Sequence, residues 1–122
     1  MLEKPDDELN KFVRQFLTEL KALIYEKGLI VKDHVKNRDS LLELGLTGKQ
    51  REEIVLSLSV SDYNSGPIKD EYKPGYYWVF GKQIDRFEVY IKLKIAEQPG
   101  AEHAICLSFH KAEWTLNYPF DK

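Results

Sequence analysis

The chain has 122 residues, 43% hydrophobic and 31% charged, with a formal net charge of −2, which predicts one folded domain and excludes disorder, a state needing fewer apolar residues and a larger net charge. The longest apolar run is Tyr76-Tyr77-Trp78-Val79-Phe80, far short of the roughly 18 residues of a membrane span, and the charged start Met1-Leu2-Glu3-Lys4-Pro5-Asp6-Asp7 lacks the apolar core of a signal peptide. With Cys106 as the lone cysteine, an intrachain disulfide and any site needing two cysteines are excluded; the expectation is a soluble, cytoplasmic protein.

Leu9, Phe12, Val13, Phe16, Leu17, Leu20, Leu23 and Ile24 recur at i, i+3, i+4 and i+7, predicting one amphipathic helix over about 7–27. Asp6 or Asp7 is positioned to cap its start, and Gly28 to end it in a left-handed turn. Leu29-Ile30-Val31 is an edge strand or a packed connector. Asn37-Arg38-Asp39-Ser40 then precedes a short helix, Leu41 to Leu44, stopped by Gly45. Thr47-Gly48-Lys49-Gln50 fits a capping box and opens a third helix to about Leu58. Residues 61–75, holding Gly66-Pro67 and Pro74-Gly75, are expected to form a long loop.

Beyond the loop the period changes to two. Residues 76–80 are a strand; in residues 86–96, Phe87, Val89, Ile91, Leu93 and Ile95 point one way and Glu88, Tyr90, Lys92 and Lys94 the other. Residues 103–110 alternate likewise, Ile105, Leu107 and Phe109 against Ala104, Cys106, Ser108 and His110. Short connectors predict hairpins. The fold class is therefore α+β: N-terminal helices followed by an antiparallel β-meander, with one sheet face covered by the helices.

If the odd-numbered rows bury, Tyr90, Lys92, Lys94 and His110 share the open face. Strands lie roughly 4.8 Å apart, so these groups suit one phosphate. Bulk charge does not attract polyanions, since 18 Lys and Arg meet 20 Asp and Glu. Residues 64–95 carry six basic groups against four acidic; charge alone leans against RNA or DNA, and any affinity for phosphate must come from local arrangement. The plainer reading is that polar residues on an amphipathic strand keep it soluble and that strand lysines deter edge pairing. His34 and His103 lack metal-ligand spacing, and neither a phosphate loop nor a nucleophile elbow is present. Trp78 and Trp114 are base-stacking candidates or packing residues.

Leu58-Ser59-Val60-Ser61-Asp62-Tyr63, Val89-Tyr90-Ile91-Lys92-Leu93-Lys94-Ile95 and Leu107-Ser108-Phe109 together resemble MqsR-type toxins of type II toxin–antitoxin systems. That pattern runs from a Leu-Ser-x-Ser-Asp-aromatic segment to a Val-Tyr-Leu-Lys-Ile strand and a terminal Val-Ser-Phe-Lys strand. Leu44-Gly45-Leu46 matches a Leu-Gly-Leu in the family, and the likeness covers about residues 37–111. It implies a RelE-like fold, metal-independent mRNA cleavage (an mRNA interferase without cofactor) and a cognate DNA-binding antitoxin. Tyr90 and Lys92 match the family's strand Tyr and Lys. His110 stands where the family has a catalytic Lys, with Lys111 next, and Asn64-Ser65-Gly66 replaces another Lys, for which Lys69 could reach back. The family's catalytic Gln has no counterpart in residues 76–80. The long first helix and the tail 114–120 are additional.

Metal-free RNA cleavage uses the ribose 2′-OH as nucleophile and needs a base, a cation facing the phosphorane and an acid for the departing 5′-oxygen. Phenol and ammonium groups ordinarily titrate near 10, whereas imidazole titrates near 6.5. His110 is thus assigned as acid or base, Tyr90 as the orienting or donating phenol and Lys92 as phosphate electrostatics. Lys94 would serve with Lys92, Arg86 and Lys82 would contact the RNA backbone, and Lys69, Lys73 and Lys111 are secondary RNA-binding candidates. The competing readings are a non-catalytic module binding protein or nucleic acid through the same face, and an inactive toxin relative.

Overall fold

A computed structural model describes residues 5–98 and 101–121. The order is α1 (Pro5–Lys27), β1 (Ile30–Val31), α2 (Val35–Leu44), α3 (Gly48–Leu56), a 3-10 turn (Val60–Asp62), β2 (Tyr63–Lys69), β3 (Tyr76–Ile84), β4 (Phe87–Gln98) and β5 (Ala101–Lys111). Helices come first and a five-stranded sheet follows, so the α+β class holds. The strand order is β1-β5-β4-β3-β2; β1 pairs parallel to β5 and every other pairing is antiparallel. None of the described helices is long and apolar enough to cross a membrane.

The stripe of α1 buries as its spacing predicts. Val13, Phe16, Leu17, Leu20 and Ile24 pack on Trp78 and Phe80 of β3, Val89, Ile91 and Leu93 of β4, and Ala104, Cys106 and Phe109 of β5. Phe16 stacks on Trp78 with ring centroids 5.1 Å apart and on Phe80 at 6.2 Å. Trp78 is therefore a core residue, while Phe12, at the rim of the stripe, stays exposed. Helix α1 spans Pro5–Lys27, so Asp6 and Asp7 lie within the helix rather than capping its start. Gly28 ends it at φ 84°, the left-handed conformation expected of it.

Three expectations change. The segment 37–40 is not a lead-in to α2 but its interior, because His34 caps the helix by accepting from the Lys36 N–H. Asn37 and Ser40 are then buried and face the sheet. Part of the expected 61–75 loop, Tyr63–Lys69, is strand β2, and residues 70–75 remain loop. The strand shows no period-two signal because its pairing with β3 shifts register twice, between Tyr63 and Ser65 and between Ser65 and Ile68, the second across Gly66, which adopts φ 119°. Third, the alternation of β5 breaks. A bulge opposite Lys92 and Leu93 inserts Leu107, so Ala104 and Cys106 face the core together with Phe109, reversing the orientation expected for Ala104, Ile105 and Cys106. The remaining pairings are in register, and the capping box of Thr47 with Gln50 is formed in both directions.

Asn37 and Ser40 repair that bulge. The Asn37 side-chain amide donates to the carbonyls of Lys32 and Leu107, both at 3.1 Å, and its oxygen accepts from the Phe109 N–H at 2.9 Å. The Ser40 hydroxyl donates to the Phe109 carbonyl at 2.5 Å. Beyond Cys106 strand β5 no longer has β1 beside it, so these side chains satisfy backbone groups that would otherwise be orphaned. They also fix the stretch that carries Ser108 and His110.

Candidate functional site

The outer sheet face presents Tyr77, Val79 and Gly81 of β3, Tyr90, Lys92 and Lys94 of β4, and Ser108 and His110 of β5, as the pairings Tyr77↔Lys94, Val79↔Lys92, Gly81↔Tyr90, Lys92↔Ser108 and Tyr90↔His110 require. It is not the open face that alternation alone suggests. Residues 112–121 cross one end of it. The Glu88 carboxylate accepts from the Leu116 N–H at 2.9 Å and from the Tyr118 hydroxyl at 2.8 Å, and Asn64 donates to the Asn117 carbonyl at 2.8 Å. Gly81 permits the crossing, since a Cβ there would stand 2.6 Å from Leu116 Cδ1 and 2.9 Å from Tyr118 Cε1. Burial and the Glu88 charge both raise the pKa of Tyr118, burial most. At the other end the loop 70–75 folds over Lys94.

Between these covers lies a recess of about 220 Å³ lined by Tyr90, Ser108, His110, Glu113 and Trp114. The Tyr90 and His110 rings stack with centroids 5.3 Å apart and planes 20° from parallel. His110 Nδ1 lies 2.9 Å from the Lys111 carbonyl oxygen. A carbonyl only accepts, so Nδ1 carries the proton of this hydrogen bond, which in the neutral tautomer leaves the lone pair on Nε2. Burial, and to a lesser extent Tyr77, raise the Tyr90 pKa above its usual value; Tyr90 is a hydrogen-bond donor, not a base. Lys92 rests its ammonium 4.0 Å from the centre of the Tyr77 ring and forms no ion pair among the described residues, so its charge is not neutralised by a carboxylate. Glu113 is bound by Lys36 at 2.6 Å, and that hydrogen bond, with the Lys36 charge and a smaller contribution from His110, lowers its pKa.

The structure puts Tyr90, Lys92 and His110 on one sheet face; Tyr90 and His110 line the recess, and Lys92 lies one step along β4, against Tyr77. Lys94 points to the expected face but is 3% exposed and held 2.7 Å from Asp70, so it is committed to that carboxylate rather than to a ligand. Lys111, one residue past His110, projects to the opposite face, over the Phe87 ring at 3.9 Å and 3.4 Å from Glu43. Lys82 also takes the helix-covered side, 3.3 Å from Asp62. Arg86 sits at the β3–β4 turn over Phe87, and Lys69 and Lys73 lie at the end of β2 and in the following loop; none of the three lines the recess.

Sequence reasoning passed over Glu113 as a site residue and left Trp114 as a base-stacking candidate or a packing residue. They follow β5 in a segment with no periodicity, and only the crossing of the tail brings them to the recess. The parity of Ser108 with His110 was visible in the strand. A larger cavity of about 720 Å³, between α1 and the β2–β3 loop, is lined by Phe12, Phe16, Tyr76, Trp78 and the carboxylates of Glu19, Glu97 and Glu102, among others; it gathers neither an imidazole nor an ammonium group. Among the described residues no cluster of three His, Cys, Asp or Glu could hold a metal ion. Cys106 is buried and its thiol is pushed up to about 12, chiefly by burial, which leaves it a core atom rather than a nucleophile. No protein-family model, curated protein or solved structure matches the chain.

Proposed function

We propose that this protein is an endoribonuclease, an MqsR-type, RelE-like toxin of a type II toxin–antitoxin system that cleaves mRNA in the cytoplasm and is held in check by a cognate DNA-binding antitoxin. The observation that carries the reading is the stacked Tyr90–His110 pair with Lys92 one step along the same strand face. These are the three chemical roles that 2′-OH attack on a phosphodiester requires, at positions where the family resemblance puts two of them. His110 Nε2, the free lone pair, takes the 2′-OH proton. The Lys92 ammonium faces the charge that grows on the phosphorane. The Tyr90 phenol donates to the departing 5′-oxygen. Products are a 2′,3′-cyclic phosphate and a free 5′-OH.

The test is purified protein with mRNA, with and without ribosomes, in excess chelator, followed by mapping of product ends. His110→Ala is expected to lose about 10²–10⁴ of the activity, the usual contribution of general acid–base catalysis, with an unchanged melting curve. Lys92→Ala should lose activity as well. Cleavage abolished by the chelator, or 5′-phosphate ends, would exclude this mechanism. RNA bound but uncut under all conditions would leave the non-catalytic module. Growth arrest on expression, relieved by co-expression of a neighbouring gene for a DNA-binding protein, tests the toxin–antitoxin pairing.

A further inference from the structure

Two tryptophans occupy opposite environments. Trp78 is 8% exposed in the core and Trp114 is 66% exposed at the mouth of the recess. Leaving the largest apolar side chain in water forgoes a burial that most folds use, and the chain on both sides of Trp114 is anchored. The residue before it, Glu113, is tied to Lys36. Two residues after it, Leu116 is 6% exposed and its N–H is bound by Glu88. Tyr118 and Asn117 add two more anchors, to Glu88 and Asn64. The indole is thus an exposed flat surface on a fixed mount, beside the stacked rings of Tyr90 and His110.

Charge decides what that surface suits. Glu113 lines the same end of the recess, and Lys36 cancels its charge rather than exceeding it. Among the described residues a second phosphate finds no surplus cation lining the recess, since Lys92 lies on the Tyr77 side and Lys111 on the other face of the sheet. A neutral, planar group fits instead. Nucleobases stack on exposed aromatic rings without regard to sequence, and only an unpaired base has its face free to do so. Resting on the RNA reading of the recess, we infer that Trp114 is the stacking platform for one unpaired base of a single-stranded RNA whose neighbouring phosphate lies at Tyr90 and His110. The substrate is then single-stranded at the cleaved step, and Trp114 is a positioning residue that sets this preference.

The experiment titrates the intact protein with an RNA oligonucleotide carrying 2′-O-methyl riboses, which removes the nucleophile and leaves binding alone. Indole emission and fluorescence anisotropy of the labelled strand are both followed. The single strand is expected to quench the emission of Trp114, with buried Trp78 supplying a constant background, and the same strand annealed to its complement is expected not to. Trp114→Ala should abolish the quench and weaken binding about tenfold, the size of one base–aromatic stack. Trp114→Phe should keep most of the affinity, because a ring remains. Both variants should melt with the wild type, since the side chain is exposed. Equal affinity of wild type and Trp114→Ala, or quenching by the duplex, would overturn the assignment while leaving RNA cleavage at His110 intact. Failure of every oligonucleotide to bind, together with absent cleavage, would overturn the RNA reading and this inference with it.

Discussion

Removing the side chain of Asn37 should loosen the stretch of β5 that carries His110. Asn37 is 2% exposed and makes three hydrogen bonds to backbone groups, those of Lys32, Leu107 and Phe109. Each such bond contributes about 1 kcal/mol net, so Asn37→Ala should destabilise the fold by about 3 kcal/mol, more where the stranded groups stay dry. For a domain of this size that lowers the melting temperature by about 10 °C. Asn37→Asp separates donor from acceptor: it keeps the acceptor for the Phe109 N–H but turns a carboxylate toward the Lys32 and Leu107 carbonyls, and should be at least as damaging. Thermal melts measure the first effect, and amide hydrogen exchange at Phe109 the second. A melting temperature within about 2 °C of wild type, with the Phe109 amide still protected, would refute the claim that this clamp holds the bulge.

Phe16→Asp, which puts a carboxylate between Trp78 and Phe80, should cost more than about 3 kcal/mol; an unchanged melt would mean that α1 is not part of the core. Asp70→Asn strands the ammonium of Lys94, which is 3% exposed, at a cost of about 3–5 kcal/mol, and adding Lys94→Met should recover most of it in urea titrations. The Asp70 carboxyl is pulled down to about 2, first by the Lys94 hydrogen bond and then by the Tyr72 N–H. Its folded pKa lies below the unfolded value near 3.9, so its contribution is fully present above about pH 4 and fades as pH falls toward about 2. Stability of the wild type should fall more steeply across that window than stability of Asp70→Asn. Gly81→Ala drives a methyl into Leu116 and Tyr118, so it should cost about 1–3 kcal/mol, detach the tail and expose residues 112–121 to limited proteolysis; an uncleaved tail would show that the crossing tolerates the methyl.

Sequence alone determined the elements whose signal is local. The 3.6-residue stripe of α1, the capping box at Thr47, the stop at Gly28 and the alternation of β4 each depend on neighbours within a turn or a pleat, and each forms as predicted. The outward parity of Tyr90, Lys92 and His110 belongs to the same class, because period two survives wherever the ladder is regular. Tertiary structure decided the rest. The Leu107 bulge turns Cys106 inward, and it is invisible in the chain because its backbone groups are satisfied from α2, by Asn37 and Ser40 some 70 residues away. Strand β2 was hidden by a Gly-Pro step whose register only pairing with β3 defines. Lys92 and Lys94 look equivalent in sequence, yet one rests on Tyr77 without an ion pair among the described residues and the other is neutralised under Asp70. Glu113 and Trp114 reach the recess only because Glu88 holds the tail across the sheet. Periodicity records which way a side chain points, whereas charge pairing and cover depend on segments distant in sequence, and those become neighbours only once the sheet has formed.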